Sequence, residues 1–140
     1  MLGKPNLYYT DSHGPDTPAL AKAYAKLLEL AKASHLRQAG IANPGKRNFV
    51  NGIWKEVLDA QTMKHLANGR ATIGGCTVFL LTERIDPQDF ARGPILAAHI
   101  TSKYLAELLK NWKATDIIYV PWTPEELNDF LANNPSATPL

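Results

Sequence analysis

The chain has 140 residues, 45% of them apolar, and 15 Lys and Arg against 13 Asp and Glu, a formal charge of +2. A chain of this length is sized for one domain, residues 1–140, whose core needs no disulfide or metal staple. The lone Cys76 excludes an internal disulfide and a cysteine-built zinc or iron–sulfur centre, and no apolar run approaches the ~18 residues of a membrane span. The segment from Met1 to Thr10 lacks the apolar block of a signal peptide, so the expectation is a cytoplasmic protein with no membrane partner.

In chain order, Asn6–Thr10 is aromatic-rich and reads as a first strand, ended by the turn residues Asp11-Ser12-His13-Gly14-Pro15-Asp16. A helix follows, capped by Asp16 or Thr17 with Pro18 in its first turn, and running to about Ala39 with Gly40 as a left-handed stop. Leu20, Tyr24, Leu27, Leu28 and Ala31 share one face of it, and Lys22, Lys26, Lys32 and Arg37 the other. Ile41–Asn48 reads as loop. A second helix begins near Asn51, breaks near Asp59 and ends at Asn68-Gly69, with Trp54 facing inward.

Cys76–Leu81 is a short apolar run, read as a strand after a bulge or close backbone approach at Gly74-Gly75. Beyond a turn of helix at Gln88–Ala91 comes the strongest pattern in the chain: strand Ile95–His99, helix Thr101–Trp112, strand Asp116–Trp122, helix Thr123–Asn133. Both strands are near-continuous apolar runs, as in parallel sheets covered on both faces. Thr123-Pro124-Glu125-Glu126 carries a capping box. Residues 134–140 read as a flexible polar tail. The fold expected is a three-layer α/β/α domain with a mostly parallel sheet of about four strands. The strand at 76–81 is given an antiparallel option, because the link to Ile95 is short for a parallel crossover.

In such sheets ligands bind beyond the carboxyl ends of the strands, where helix N-termini also point. That rule selects Asp11 and His13 as candidate catalytic residues, since a histidine near its ordinary pKa with an adjacent carboxylate can move protons. It selects Ser12, Gly14, His99, Thr101, Ser102, Trp122 and Thr123 as candidate ligand-binding residues. Each has a plain structural alternative: turn residues, helix caps, a hydrogen-bonded strand-end histidine, a packed indole. Trp54 and Trp112 read as core, His35 and His65 as surface, and Cys76 as a small buried apolar residue. No histidine spacing defines a metal site, and the sequence leaves the cofactor unknown. Gly40–Lys46 copies the first seven places of a P-loop, but Arg47 replaces the hydroxyl that would hold magnesium, and Pro44 removes a backbone donor. A looser role remains for Lys46 and Arg47 as anion contacts.

Three functions compete. The incomplete catalytic set and the charge asymmetry, basic in 17–47 and acidic in 116–140, favour a non-catalytic interaction or accessory module that self-associates or binds a protein. The alternative is a protein or enzyme that binds a small anionic or nucleotide-like molecule at the strand ends. The third, a nucleic-acid binder acting through Lys22, Lys26, Lys32 and Arg37, is disfavoured because those lysines lack interleaved aromatics.

Overall fold

Apolar side chains at every second strand position sort the core into two halves, one on each side of a central sheet. The computed structural model describes residues 4–140; Met1–Gly3, part of the stretch read for a leader, lie outside the described residues. The strands are β1 (Asn6–Tyr9), β2 (Gln38–Ala42), β3 (Arg70–Ile73), β4 (Cys76–Leu81), β5 (Gly93–Ala98), β6 (Ala114–Val120) and β7 (Thr138–Pro139). The helices are α1 (Thr17–Ala33), α2 (Lys46–Asn51), α3 (Ala60–Ala67), α4 (Ser102–Leu109) and α5 (Pro124–Asn133), with a 3-10 turn at Ile53–Glu56.

The sheet order is β3-β4-β2-β5-β6-β1-β7. Every neighbouring pair is parallel except β3 with β4. On one face Ala39, Ile41, Val78, Leu80, Leu96, Ala98, Ile118 and Val120 meet Leu20, Ala23 and Leu27 of α1, with Phe49, Trp54 and Leu66. On the other, Ala42, Phe79, Leu81, Ile95, Ala97, Ile117 and Tyr119 meet Tyr104, Leu105 and Leu108 of α4 and Phe130 of α5. Leu20, Leu27, Ile41 and Leu96 are fully buried. Each such aliphatic side chain stabilises by roughly 1.5–3 kcal/mol. Side-chain caps start the helices: Asp16 accepts from the Ala19 N–H at 3.0 Å, Asp59 from Thr62 at 2.7 Å and Thr101 from Tyr104 at 3.1 Å. Thr123 and Glu126 close the expected capping box. Among the described residues no helix is long and apolar enough to cross a membrane.

The layered, mostly parallel α/β reading holds, but the sheet has seven strands rather than about four. The largest correction is β2. The first helix stops at Ala33, where Ser34 turns its hydroxyl back onto the Ala31 carbonyl at 2.8 Å. Gln38–Ala42 then becomes a central strand where helix was expected. Gly40 is therefore no helix stop. It is buried in that strand, and a Cβ there would stand 2.7 Å from Leu81 Cδ1.

The 76–81 strand is not antiparallel to its central neighbour; it runs parallel to β2. The short link succeeds because Thr82–Arg92 crosses the sheet face as extended chain and turns instead of a helix. Phe90 packs there on Phe79 with ring centroids 5.6 Å apart, and Gln38 accepts from the Ala91 N–H at 2.8 Å. The antiparallel partner of β4 is β3, joined through Gly74 and Gly75, both at positive φ, so these glycines make a hairpin turn. Gln88–Ala91 forms no helix. Trp112, expected in the core, is 56% exposed. At the end of the chain, β7 pairs with β1 and the Leu140 N–H donates to the Tyr9 carbonyl at 2.9 Å.

Candidate functional site

β2 and β5 are hydrogen-bonded parallel neighbours whose chains leave toward opposite faces. After Ala42 the chain turns at Asn43-Pro44-Gly45 into α2, whose Phe49 packs on the α1 face. After Ala98 it passes through His99 and Ile100 into α4, on the opposite face. Two connections parting in this way leave a crevice at the carboxyl ends of the strands. A cavity of about 330 Å³ sits there, lined by Asn43, Pro44, Asn48, Gly52, Ile53, Trp54, His99 and Trp122. Its size falls within the roughly 300–1,000 Å³ of small-molecule sites.

His99 is the centre of this crevice. Its backbone stands at φ 57°, the left-handed region, while its N–H still donates to the Val120 carbonyl at 2.9 Å. A non-glycine residue held there carries strain on the order of 1–3 kcal/mol, and such strain gathers at functional sites. Its imidazole meets the Trp122 ring edge-on, with centroids 4.7 Å apart at 66°. Its Nε2 is buried without a hydrogen-bond partner, the one such side-chain atom among the described residues. Burial holds the imidazole below the ordinary histidine value of 6.5, against the opposing pull of the Glu126 carboxylate. The ring is therefore neutral at physiological pH.

Trp122 is 47% exposed, yet its backbone is clamped. Its carbonyl accepts from the Gly14 N–H at 2.7 Å, and its own N–H donates to Glu126 Oε1 at 3.2 Å. An exposed indole on a fixed backbone is a prepared stacking surface. Trp54 also lines the crevice. It is 2% exposed and wedged between Tyr24 and Phe49, each with its ring centroid 5.9 Å away. Asn43 is 5% exposed, and its N–H continues the sheet to the Leu81 carbonyl at 3.0 Å.

The chain matches no known family model, curated protein or solved structure. What the site can do thus rests on its own groups.

The residues expected at the strand ends all follow parallel strands, so they share one rim of the sheet, but they divide into separate places. His99 and Trp122 meet in the crevice. Asp11 and Ser12 line a neighbouring hollow of about 260 Å³ beside α1, with Asp16 and Lys22. Ser12 is occupied there by a 2.8 Å hydroxyl contact with buried Thr10. His13 is exposed and lines neither cavity, so Asp11 and His13 do not sit with His99. Gly14 serves by holding Trp122. Thr101 and Thr123 are committed to capping, and Thr101 also donates to Glu83 at 3.2 Å. Ser102 is exposed at the first position of α4.

Lys46 and Arg47 are exposed at the start of α2 and do not line the crevice. Asn43, Asn48 and Trp54 were missed as site residues. The available signal was an Asn-Pro-Gly turn directly after Ala39–Ala42, once that stretch is seen as strand. Among the described residues, His, Cys, Asp and Glu side chains form no group of three placed to hold a metal ion.

Proposed function

We propose that this protein binds a small organic molecule in the crevice between the ends of β2, β5 and β6. The observation that carries the reading is His99: strained backbone, unpartnered buried nitrogen and an aromatic neighbour, all at the parting of two connections. Leaving a polar atom dry and unpaired costs about 1–3 kcal/mol. A ligand in the crevice that turns the His99 ring and pairs with that nitrogen recovers the loss. The reading requires binding only. It does not use Asp11 or His13 as an acid–base pair.

The direct test is a broad thermal-shift and tryptophan-fluorescence screen of neutral and anionic metabolites, repeated with His99→Phe and Trp122→Leu. At least one compound should raise the melting temperature of the native sequence and lose its effect in both variants. A screen in which every response survives both substitutions would sink the reading.

A second reading, self-association, draws on exposed Lys22 and Lys32 of α1 and exposed Glu125 and Asp129 of α5. Opposed patches of this kind favour contact at low salt. Light scattering across a salt series tests it, and a strict monomer at low salt removes it.

A further inference from the structure

The lining of the crevice defines the chemistry of its occupant more narrowly than its size does. Its polar groups are the amides of Asn43 and Asn48, the imidazole of His99, the indole N–H groups of Trp54 and Trp122, and backbone; no lysine, arginine, aspartate or glutamate lines it. The charge that acts on His99 is the Glu126 carboxylate, which accepts from the N–H groups of Trp122 and Thr123. An anionic ligand would enter without a cation to meet it and against that field. A sugar would need more acceptors for its hydroxyls than two amide oxygens and one ring nitrogen supply. A long apolar chain would bury His99 Nε2 still unpaired.

A flat ring system avoids all three penalties. The half-exposed Trp122 indole offers a stacking surface, and Trp54 and Ile53 line the same crevice. The neutral imidazole has one N–H and one bare nitrogen, so Nε2 either donates or accepts depending on tautomer. A lactam, carboxamide or amino-azine edge presents donor and acceptor side by side and satisfies either form. The side-chain amides of Asn43 and Asn48 are complementary to the same edge.

Resting on the crevice being a ligand site at all, we propose that its ligand is an uncharged, flat nitrogen heteroaromatic, nucleobase- or nicotinamide-like. It stacks on Trp122 and points an amide-type edge at His99, whose imidazole turns to bring the buried Nε2 into the crevice. The expected discrimination is against the carboxylate or phosphate form of the same ring.

The test titrates the whole chain with two matched pairs, nicotinamide against nicotinate and uracil against orotate, and with toluene as a ring without polar edge. The readouts are imidazole ¹⁵N shifts of His99, tryptophan fluorescence and calorimetry. At least one neutral member should move the His99 ¹⁵N signals and quench fluorescence. It should bind about tenfold or more tighter than its charged partner and toluene, the ratio expected when one buried polar group goes unpaired. His99→Phe, which keeps a ring of similar size, should erase that preference. The ¹⁵N shifts of the native chain give the same answer should that variant fail to fold.

Tighter binding of nicotinate or orotate with a His99 response overturns the ligand class and leaves the crevice as a site. The same follows if these probes leave His99 and Trp122 unmoved while a compound from the broad screen that is not an uncharged heteroaromatic perturbs both. Silence of His99 and Trp122 toward every compound in both experiments overturns class and site together.

Discussion

The two ends of the sheet differ in a way that volume alone conceals. The larger cavity, about 580 Å³, lies where β1 begins, lined by Lys4, Asn6 and Tyr8 with Asn133, Asn134 and Pro135. Among the described residues, none of its side-chain polar atoms is both buried and unpaired. Asn6 donates to buried Asp116 at 3.0 Å, Thr115 donates to the other carboxylate oxygen at 2.9 Å, and Asn134 donates to the Phe130 carbonyl at 2.9 Å. The smaller crevice at the opposite end holds a strained histidine with an unpaired nitrogen. The proposed ligand site is the concavity that holds the unpaired buried nitrogen. The difference says that the two ends should answer mutation with different signs.

The bed shared by both ends should give the largest effect. Leu96 is fully buried in the middle of β5, so Leu96→Ala should cost about 2–5 kcal/mol in urea denaturation and weaken both ends together. Intact ligand response despite that loss would show that the crevice does not depend on the sheet beneath it.

Asp116→Ala comes next. It strips the acceptor from Asn6 and Thr115, and stability should fall by about 1–3 kcal/mol with ligand response at His99 unchanged. A neutral outcome would erase the contrast between a satisfied end and an unsatisfied one.

The smallest effect is in pH. Burial lowers the folded His99 pKa below 6.5, and Glu126 of α5 opposes that shift. As pH falls through about 6.5 the unfolded chain takes up the proton first, so stability drops from there toward the folded value and is flat above it. His99→Gln should remove that part of the slope in a series of melts between pH 7.5 and 5. An unchanged slope would show that His99 titrates as it does in water.

Much of this architecture could be read from the residues, and what escaped did so for physical reasons. β5 and β6 announced themselves because Ile95–Ala98 and Ile117–Val120 are apolar runs followed by capping threonines. Their shared rim followed from the parallel rule, which brought in His99 and Trp122. β2 stayed hidden because Gln38-Ala39-Gly40-Ile41-Ala42 has one β-branched residue, two alanines and a glycine. Its alanines and glycine suit a strand squeezed between two others, as Gly40 against Leu81 illustrates, yet the same composition extends a helix just as well. Losing β2 meant losing Asn43 and half of the crevice. Asp11 and His13 were drawn to the site by their chemistry, but the turn after β1 sends them toward α1 and solvent instead.

The most direct test of an organised, unsatisfied crevice is the urea midpoint of His99→Gly. Glycine accepts the left-handed backbone without strain and removes the unpaired nitrogen, so the variant should be as stable as the native chain or more so, although it loses the contact with Trp122. A loss of about 1 kcal/mol or more would contradict the account and make His99 an ordinary supporting residue of the fold.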